Sequence, residues 1–159
     1  MDVYFLRHGK AEKHADCDEN RILTSEGEET IRRLGKVLQT LKISPTHLYT
    51  SPYLRAAQTA DILNQGLTMP LEIKTKKRLR CGAHTAKILD LLVDHSENDR
   101  VILVGHMPDF AEITQTLLGL LKPMTFETGS LIGLNWKNHP GKNSKANLLL
   151  ALHPSQYAV

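Results

Sequence analysis

Apolar positions along the chain alternate between two periods. Val3-Tyr4-Phe5-Leu6 is an unbroken β-favouring run that stops at Arg7-His8-Gly9, as a buried strand does on reaching the end of its sheet. After a polar stretch, Ser25-Glu26-Gly27-Glu28 reads as a capping box, and Ile31, Leu34, Leu38 and Leu41 recur at helical spacing, which predicts a helix over about 25–41. Pro45 breaks the chain, and Leu48-Tyr49-Thr50 reads as a second, short strand. Ser51-Pro52 then carries the cap-then-proline signature of a helix start, with Arg55 in the first turn or so. Leu71-Glu72-Ile73-Lys74 alternates like a strand. Ile88, Leu89, Leu91 and Leu92 suit a helix opening near Thr85. The run 100–104 is the strongest buried-strand signal in the chain and leads into Gly105-His106-Met107-Pro108. Asp109 begins a further helical pattern through Ile113, Leu117 and Leu118 that stops before Pro123. The last third differs: 130–136 and 146–152 are β-like runs around the polar stretch 138–145, which predicts a late hairpin or edge pair.

Strands alternating with helices predict an α/β fold: three layers, α/β/α, around a mostly parallel sheet with an antiparallel edge from the late hairpin. The 159 residues, 41% hydrophobic and 23% charged, suit one domain over 1–159 that folds without disulfides or a structural metal. Cys17 and Cys81 read as free thiols of a reducing cytoplasm. The start lacks a basic leader region, and apolar stretches such as 148–152 fall far short of the ~20 residues that span a bilayer, so a soluble cytoplasmic protein with no membrane partner is expected. The net charge of +3 leans slightly towards anionic partners and decides nothing. The basic run 74–80 has no interleaved aromatics, and aromatics total 5%, so nucleic acid is not expected. A solvated connection near the pocket, attractive to an acidic protein, suits it better.

Parallel sheets bind ligands beyond the carboxyl ends of their strands. Three strands here end in unusual polar groups: Arg7-His8-Gly9, Ser51-Pro52 leading to Arg55, and Gly105-His106. If the strands are parallel, these groups share one pocket. Two arginines there point to a tetrahedral oxyanion, because the guanidinium fork donates paired hydrogen bonds and keeps its charge. A histidine beside them, neutral near pH 7, has a ring nitrogen free to attack phosphorus. Gly9 would let the backbone turn close to the phosphate. His106, as a cation, would neutralise phosphoryl oxygens or hand over a proton. The stretch His14-Ala15-Asp16-Cys17-Asp18 lacks the paired spacing of a metal site, and no metal or other cofactor is expected.

Taken in order, Leu6-Arg7-His8-Gly9-Lys10-Ala11-Glu12, Asp18-Glu19-Asn20-Arg21-Ile22-Leu23-Thr24, Ser51-Pro52-Tyr53-Leu54-Arg55-Ala56-Ala57-Gln58-Thr59-Ala60 and Val104-Gly105-His106 resemble the histidine phosphatase superfamily. Within it, the short length and these spacings resemble the SixA-type phosphohistidine phosphatases. The resemblance covers residues 3 to about 152. It implies that His8 is transiently phosphorylated, that Arg7 and Arg55 clamp the phosphoryl group and that His106 completes the pocket. Arg21 matches a family arginine near the pocket mouth. Thr128-Gly129-Ser130 matches a stretch before the family's late strand and reads equally as pocket wall or as turn.

Larger members of the superfamily bring a glutamate acid from an inserted segment; here that region is the short, carboxylate-free stretch 77–84. An alkoxide leaving group needs a proton from such an acid, whereas a phosphorylated imidazole departs as a neutral ring by using its second nitrogen. The expected activity is therefore a metal-independent phosphatase acting on phosphohistidine in a protein. A histidine phosphotransfer domain of a kinase relay, or one of a sugar phosphotransferase system, is the partner the resemblance suggests. A chain with no lid leaves its pocket open to such a displayed substrate. Two alternatives stand beside this reading: a phosphomonoesterase of a small metabolite or phosphoserine protein that takes its acid from Glu12, Asp16, Asp18 or Glu19, and a phosphoprotein-binding module without turnover. The sequence says nothing of oligomeric state.

Overall fold

The structure, a computed structural model, describes residues 1–136 and 145–157. Strands β1 (Asp2–Arg7), β2 (His47–Thr50), β3 (Ile73–Thr75), β4 (Arg100–Gly105), β5 (Leu131–Asn135) and β6 (Asn147–Leu152) form one sheet in the order β3-β2-β4-β1-β5-β6. The pairs β3/β2, β2/β4 and β4/β1 are parallel, and β1/β5 and β5/β6 are antiparallel. This is the expected mostly parallel sheet with an antiparallel edge. The polar stretch read at 138–145 lies, apart from Lys145, outside the described residues.

Alternation along the central strands splits the core in two. Tyr4, Leu6, Leu48, Ile102 and Val104 face helices α1 (Ser25–Thr40) and α2 (Leu54–Gln65), packing on Ile31, Leu34, Leu38, Ala60 and Leu63. Val3, Phe5, Tyr49, Val101 and Leu103 face the other layer, which holds α3 (Thr85–Leu89) and α4 (Asp109–Leu118), with Ile88, Phe110, Ile113 and Leu117. Both faces are covered, so the strands carry unbroken apolar runs.

Several element ends differ from expectation. Helix α1 is capped by Thr24, whose hydroxyl accepts from the Gly27 amide, and Ser25 is already helical. Helix α2 opens at Leu54 rather than at Ser51-Pro52, with an extended Tyr53 at its cap position. Strand β3 is shifted to 73–75 because the Asn64 side chain holds both backbone groups of Leu71 (2.8 Å each) and keeps it off the sheet. Helix α3 stops at Leu89; Leu91 and Leu92 continue its apolar spacing in tight turns that bond back to Ile88 and Leu89. Among the described residues no helix is long and apolar enough to cross a membrane.

Candidate active site

Because β1 and β4 are neighbouring and parallel, the residues that follow them, His8 and His106, leave the sheet side by side, ring centroids 5.2 Å apart. On the other flank of β4, β2 leads through Ser51 into α2, whose first turn supplies Arg55. Arg7, His8, Arg55 and His106 line one open cleft of about 320 Å³, together with Asp18, Arg21 and Thr128.

His8 is buried and its Nδ1 lies 2.8 Å from the Gly9 carbonyl oxygen. A carbonyl only accepts, so Nδ1 carries the proton and Nε2 keeps its lone pair, which accepts from Arg55 Nε at 3.1 Å. Burial pushes the His8 pKa down to about 4, against the Gly9 carbonyl and with the help of the Arg55 and Arg7 charges. At neutral pH the ring is uncharged, with its Nε2 lone pair available. Arg55 is itself buried, with Nη1 on the Asp18 carbonyl (2.6 Å) and Nη2 on the Asp18 carboxylate (3.0 Å). Thr59, one turn along α2, fixes this arrangement: its hydroxyl donates to the Arg55 carbonyl (2.7 Å) and accepts from the Gly9 amide (3.0 Å).

Arg7 donates from Nη1 to the Phe126 carbonyl (2.5 Å), and its Nε is buried without a partner among the described residues. The turn before β5 closes over this strand end. The Gly129 amide donates to the Arg7 and His8 carbonyls (3.1 and 3.0 Å), and the Arg7 amide donates to Ser130. Gly129 takes a φ of +87°, which a side chain resists. Both readings of this stretch meet at Thr128: it lines the cleft, and with Gly129 it forms the corner of the turn that the Ser130 amide closes on the Glu127 carbonyl (2.9 Å).

His106 Nε2 lies 2.7 Å from the Ser51 hydroxyl, which accepts from the Tyr53 amide at 3.3 Å. The Ser51 proton has no other acceptor among the described residues, so its donation to His106 Nε2 satisfies both groups and leaves the imidazole proton on Nδ1, a buried atom with no protein partner among them. Burial, then the neighbouring His8 and Arg55, push its pKa down to about 3. The expected cation is therefore a neutral donor in the unliganded site, because a charge here is both desolvated and repelled.

The remaining sequence candidates fall around this group. Arg21 binds the Asp18 carboxylate (2.7 Å) and the Glu12 carbonyl (3.2 Å). Ser51 is wholly buried behind His106. Gly9 and Gly105 serve packing rather than the cleft wall: a Cβ on Gly9 would lie 3.0 Å from the Gly27 carbonyl of α1, and one on Gly105 would lie 2.6 Å from the Phe110 ring. Of the four loop carboxylates, Asp18 lines the cleft. Burial alone would raise its pKa, but the Arg55 and Arg21 hydrogen bonds outweigh that and lower it, so it is held ionised and is a poor proton donor. Burial and the nearby Asp109 push the Cys81 thiol up, away from reactivity. In the basic run, Lys76, Lys77 and Arg78 wall a separate cleft with Asp90 and Asp94. Sequence reasoning missed Thr59 and Tyr53, whose ring sits 5.0 Å from the Arg55 guanidinium carbon and 4.9 Å from His106. Their signal was proximity to Arg55: one helical turn after it, and two residues before.

Residues 3–80 match the histidine phosphatase superfamily (branch 1). Over 145 residues the chain is 32% identical to a phosphohistidine phosphatase SixA homologue of Haemophilus influenzae, covering 86% of this chain and 88% of that one. It is 26% identical over 153 residues to phosphohistidine phosphatase SixA of Escherichia coli K12, covering 88% and 94%. In fold it matches a solved structure of the protein histidine phosphatase SixA complexed with tungstate, with TM-score 0.88 and 22% identity, over 98% of this chain and 99% of the other.

Proposed function

The chain belongs to the histidine phosphatase superfamily, its relatives support phosphatase activity, and we propose that it hydrolyses phosphohistidine displayed on a protein, with His8 as the nucleophile. The observation that carries this reading is the state of His8: uncharged, protonated at Nδ1, with the Nε2 lone pair turned towards Arg55.

The reaction is two in-line transfers. In the first, the His8 Nε2 lone pair forms a bond to phosphorus as the bond from phosphorus to the substrate imidazole breaks. The leaving ring, protonated on its second nitrogen in the substrate, keeps that electron pair and departs neutral, while His8, already protonated at Nδ1, becomes the phosphorylated imidazolium. In the second, water attacks the phosphorus of phospho-His8, the N–P bond breaks, and orthophosphate leaves with His8 restored. Arg55 Nε, which donates to the lone pair in the unliganded site, moves its hydrogen bond to a phosphoryl oxygen. Arg7 Nε and His106 Nδ1, buried atoms of cleft residues without a protein partner among the described residues, supply further bonds to that group. The cations and donors needed for the phosphoryl charge are all side chains, so turnover requires no metal. Arg21 and Thr128 contact the group or its carrier at the wall of the cleft.

The ionised state of Asp18 favours an N–P over an ester substrate, since the carboxylate best placed to protonate an alkoxide holds no proton to give. The partner is a phosphorylated protein, a histidine phosphotransfer domain by the resemblance. The test is phosphate release from a phosphohistidine protein and from a phosphoserine peptide, with chelator present, by the chain and by His8→Ala. Release from phosphohistidine alone, abolished in the variant, is expected. Comparable release from the ester would replace this reading with a phosphomonoesterase, and binding of the phosphoprotein without release would replace it with a docking module.

A further inference from the structure

At the opposite edge of the sheet, the amino ends of β2 and β4 gather His47, His95 and Asp99, three residues with no part in the phosphatase chemistry. We propose that these three bind one divalent transition-metal ion of the zinc class, which clips the turn preceding β4 to the start of β2.

One donor atom from each residue lies within 4.8 Å of the other two. The carboxylate stands between the imidazoles: Asp99 Oδ2 is 3.2 Å from His95 Nδ1, and Asp99 Oδ1 is 4.0 Å from His47 Nδ1. Zinc-class ions take imidazole nitrogen and carboxylate oxygen at about 2.0–2.2 Å, which in a tetrahedral set puts neighbouring donors roughly 3.4 Å apart. His95 and Asp99 already meet that spacing, and the widest gap in the set, at most 4.8 Å, must close by up to ~1.4 Å. The His47 side chain is one-third exposed, with room to do so. Two imidazoles and one carboxylate leave at least one position for water, and their mixed nitrogen and oxygen donors suit a d-block dication better than calcium or magnesium.

The surroundings orient these donors as second partners of metal ligands do. The Tyr49 hydroxyl holds Nε2 of the buried His95 at 3.0 Å, leaving Nδ1 towards Asp99. The Ser96 amide donates to Asp99 Oδ2 (2.8 Å), and the Asp99 amide returns to the Ser96 carbonyl, closing the turn. Thr46 Oγ1, 2.8 Å from His47 Nδ1, has the Arg100 carbonyl at 3.2 Å as an alternative acceptor for its proton, which frees the His47 lone pair. His47 is fixed in register opposite Val101, two residues beyond Asp99. The six residues of β4, roughly 20 Å of strand, separate this cluster from His106.

Chelator-treated full-length chain is titrated with Co²⁺ and followed by visible absorption, with Zn²⁺ as competitor and thermal unfolding as a second readout. The expected result is one saturable equivalent of Co²⁺ that Zn²⁺ displaces, and a higher melting temperature with Zn²⁺. His47→Ala and Asp99→Asn each remove the band and the thermal shift, Tyr49→Phe weakens binding about 10-fold, and His8→Ala leaves it intact. His47 lies at a strand end rather than in the core, so its variant folds; metal-free melting checks this, and Asp99→Asn provides the second arm. Absence of a one-to-one band, its survival in both ligand variants, or its loss in His8→Ala would overturn the site. None of these readouts depends on phosphatase activity.

Discussion

The Asp18 carboxylate lies 3.0 Å from Arg55 Nη2 and 2.7 Å from Arg21 Nε, so it satisfies two of the three guanidinium groups that line the cleft. A phosphoryl group entering that space competes with a resident anion.

Asp18→Asn removes the competing charge while keeping the shape. Asp18 is more than half exposed, so its charge opposes an incoming anion by only about 1 kcal/mol. Inhibition by orthophosphate or tungstate should therefore strengthen by a factor of ~5 in the variant. Weaker inhibition would mean that Asp18 holds Arg55 in place for the anion rather than competing with it. Phosphohistidine turnover should persist, because the leaving ring needs no proton from Asp18.

Gly129→Ala tests how the turn before β5 holds the end of β1. The residue sits at φ +87°, and an added Cβ would lie 3.0 Å from the Thr30 side chain. A destabilisation of ~1–2 kcal/mol is expected in urea unfolding. Phosphate release should fall by more than the unfolded fraction explains, because the Gly129 amide binds the carbonyls of both Arg7 and His8. Unchanged release at temperatures where the variant is folded would show that the turn supports stability alone.

What the sequence reveals here is what local chemistry carries. Strands β1 and β4 are buried on both faces, so they read as unbroken apolar runs, and the polar residues closing them mark the cleft. Ser51-Pro52 resembles a helix cap because the Ser51 hydroxyl does accept an amide two residues on, from Tyr53. Its other partner, His106, is 55 residues away, and no local pattern holds that contact. Thr24 and Ser25 both offer a cap hydroxyl, and the closing bond to Gly27 selects Thr24. Gly9 reads in the sequence as a concession to a ligand, yet helix α1 needs that space, as Phe110 does at Gly105, and both neighbours arrive through tertiary packing. The charge state of His106 depends on the same tertiary packing, because composition does not show how deeply a ring is buried.

Ser51→Ala removes the partner of His106 Nε2 and leaves that nitrogen buried. A stability loss of about 1 kcal/mol is expected. With the tautomer no longer fixed, kcat should fall on the order of 10-fold. Nitrogen NMR of His106 separates the two roles. A shift of the proton away from Nδ1 marks Ser51 as a positioning residue, and an unchanged tautomer with a lower melting temperature marks it as structural only.

Acid should unfold this protein through its two cleft histidines. His8 and His106 have folded pKa values near 4 and 3, below the ordinary value of about 6.5 that they regain in the unfolded chain. Between about 6.5 and 4 the unfolded state therefore binds protons that the folded state does not, and stability falls as pH falls through that window. Above 6.5 neither ring is charged in either state, and the effect vanishes. For His8 the loss between pH 7 and pH 5 is roughly 2 kcal/mol. Urea unfolding of wild type and His8→Gln at both pH values should show a smaller drop in the variant, and NMR titration of His8 in phosphate-free buffer should show no midpoint above pH 5. A midpoint near 6.5 would mean that the buried ring is open to water and that the low pKa, with the uncharged ring it keeps in mild acid, is lost.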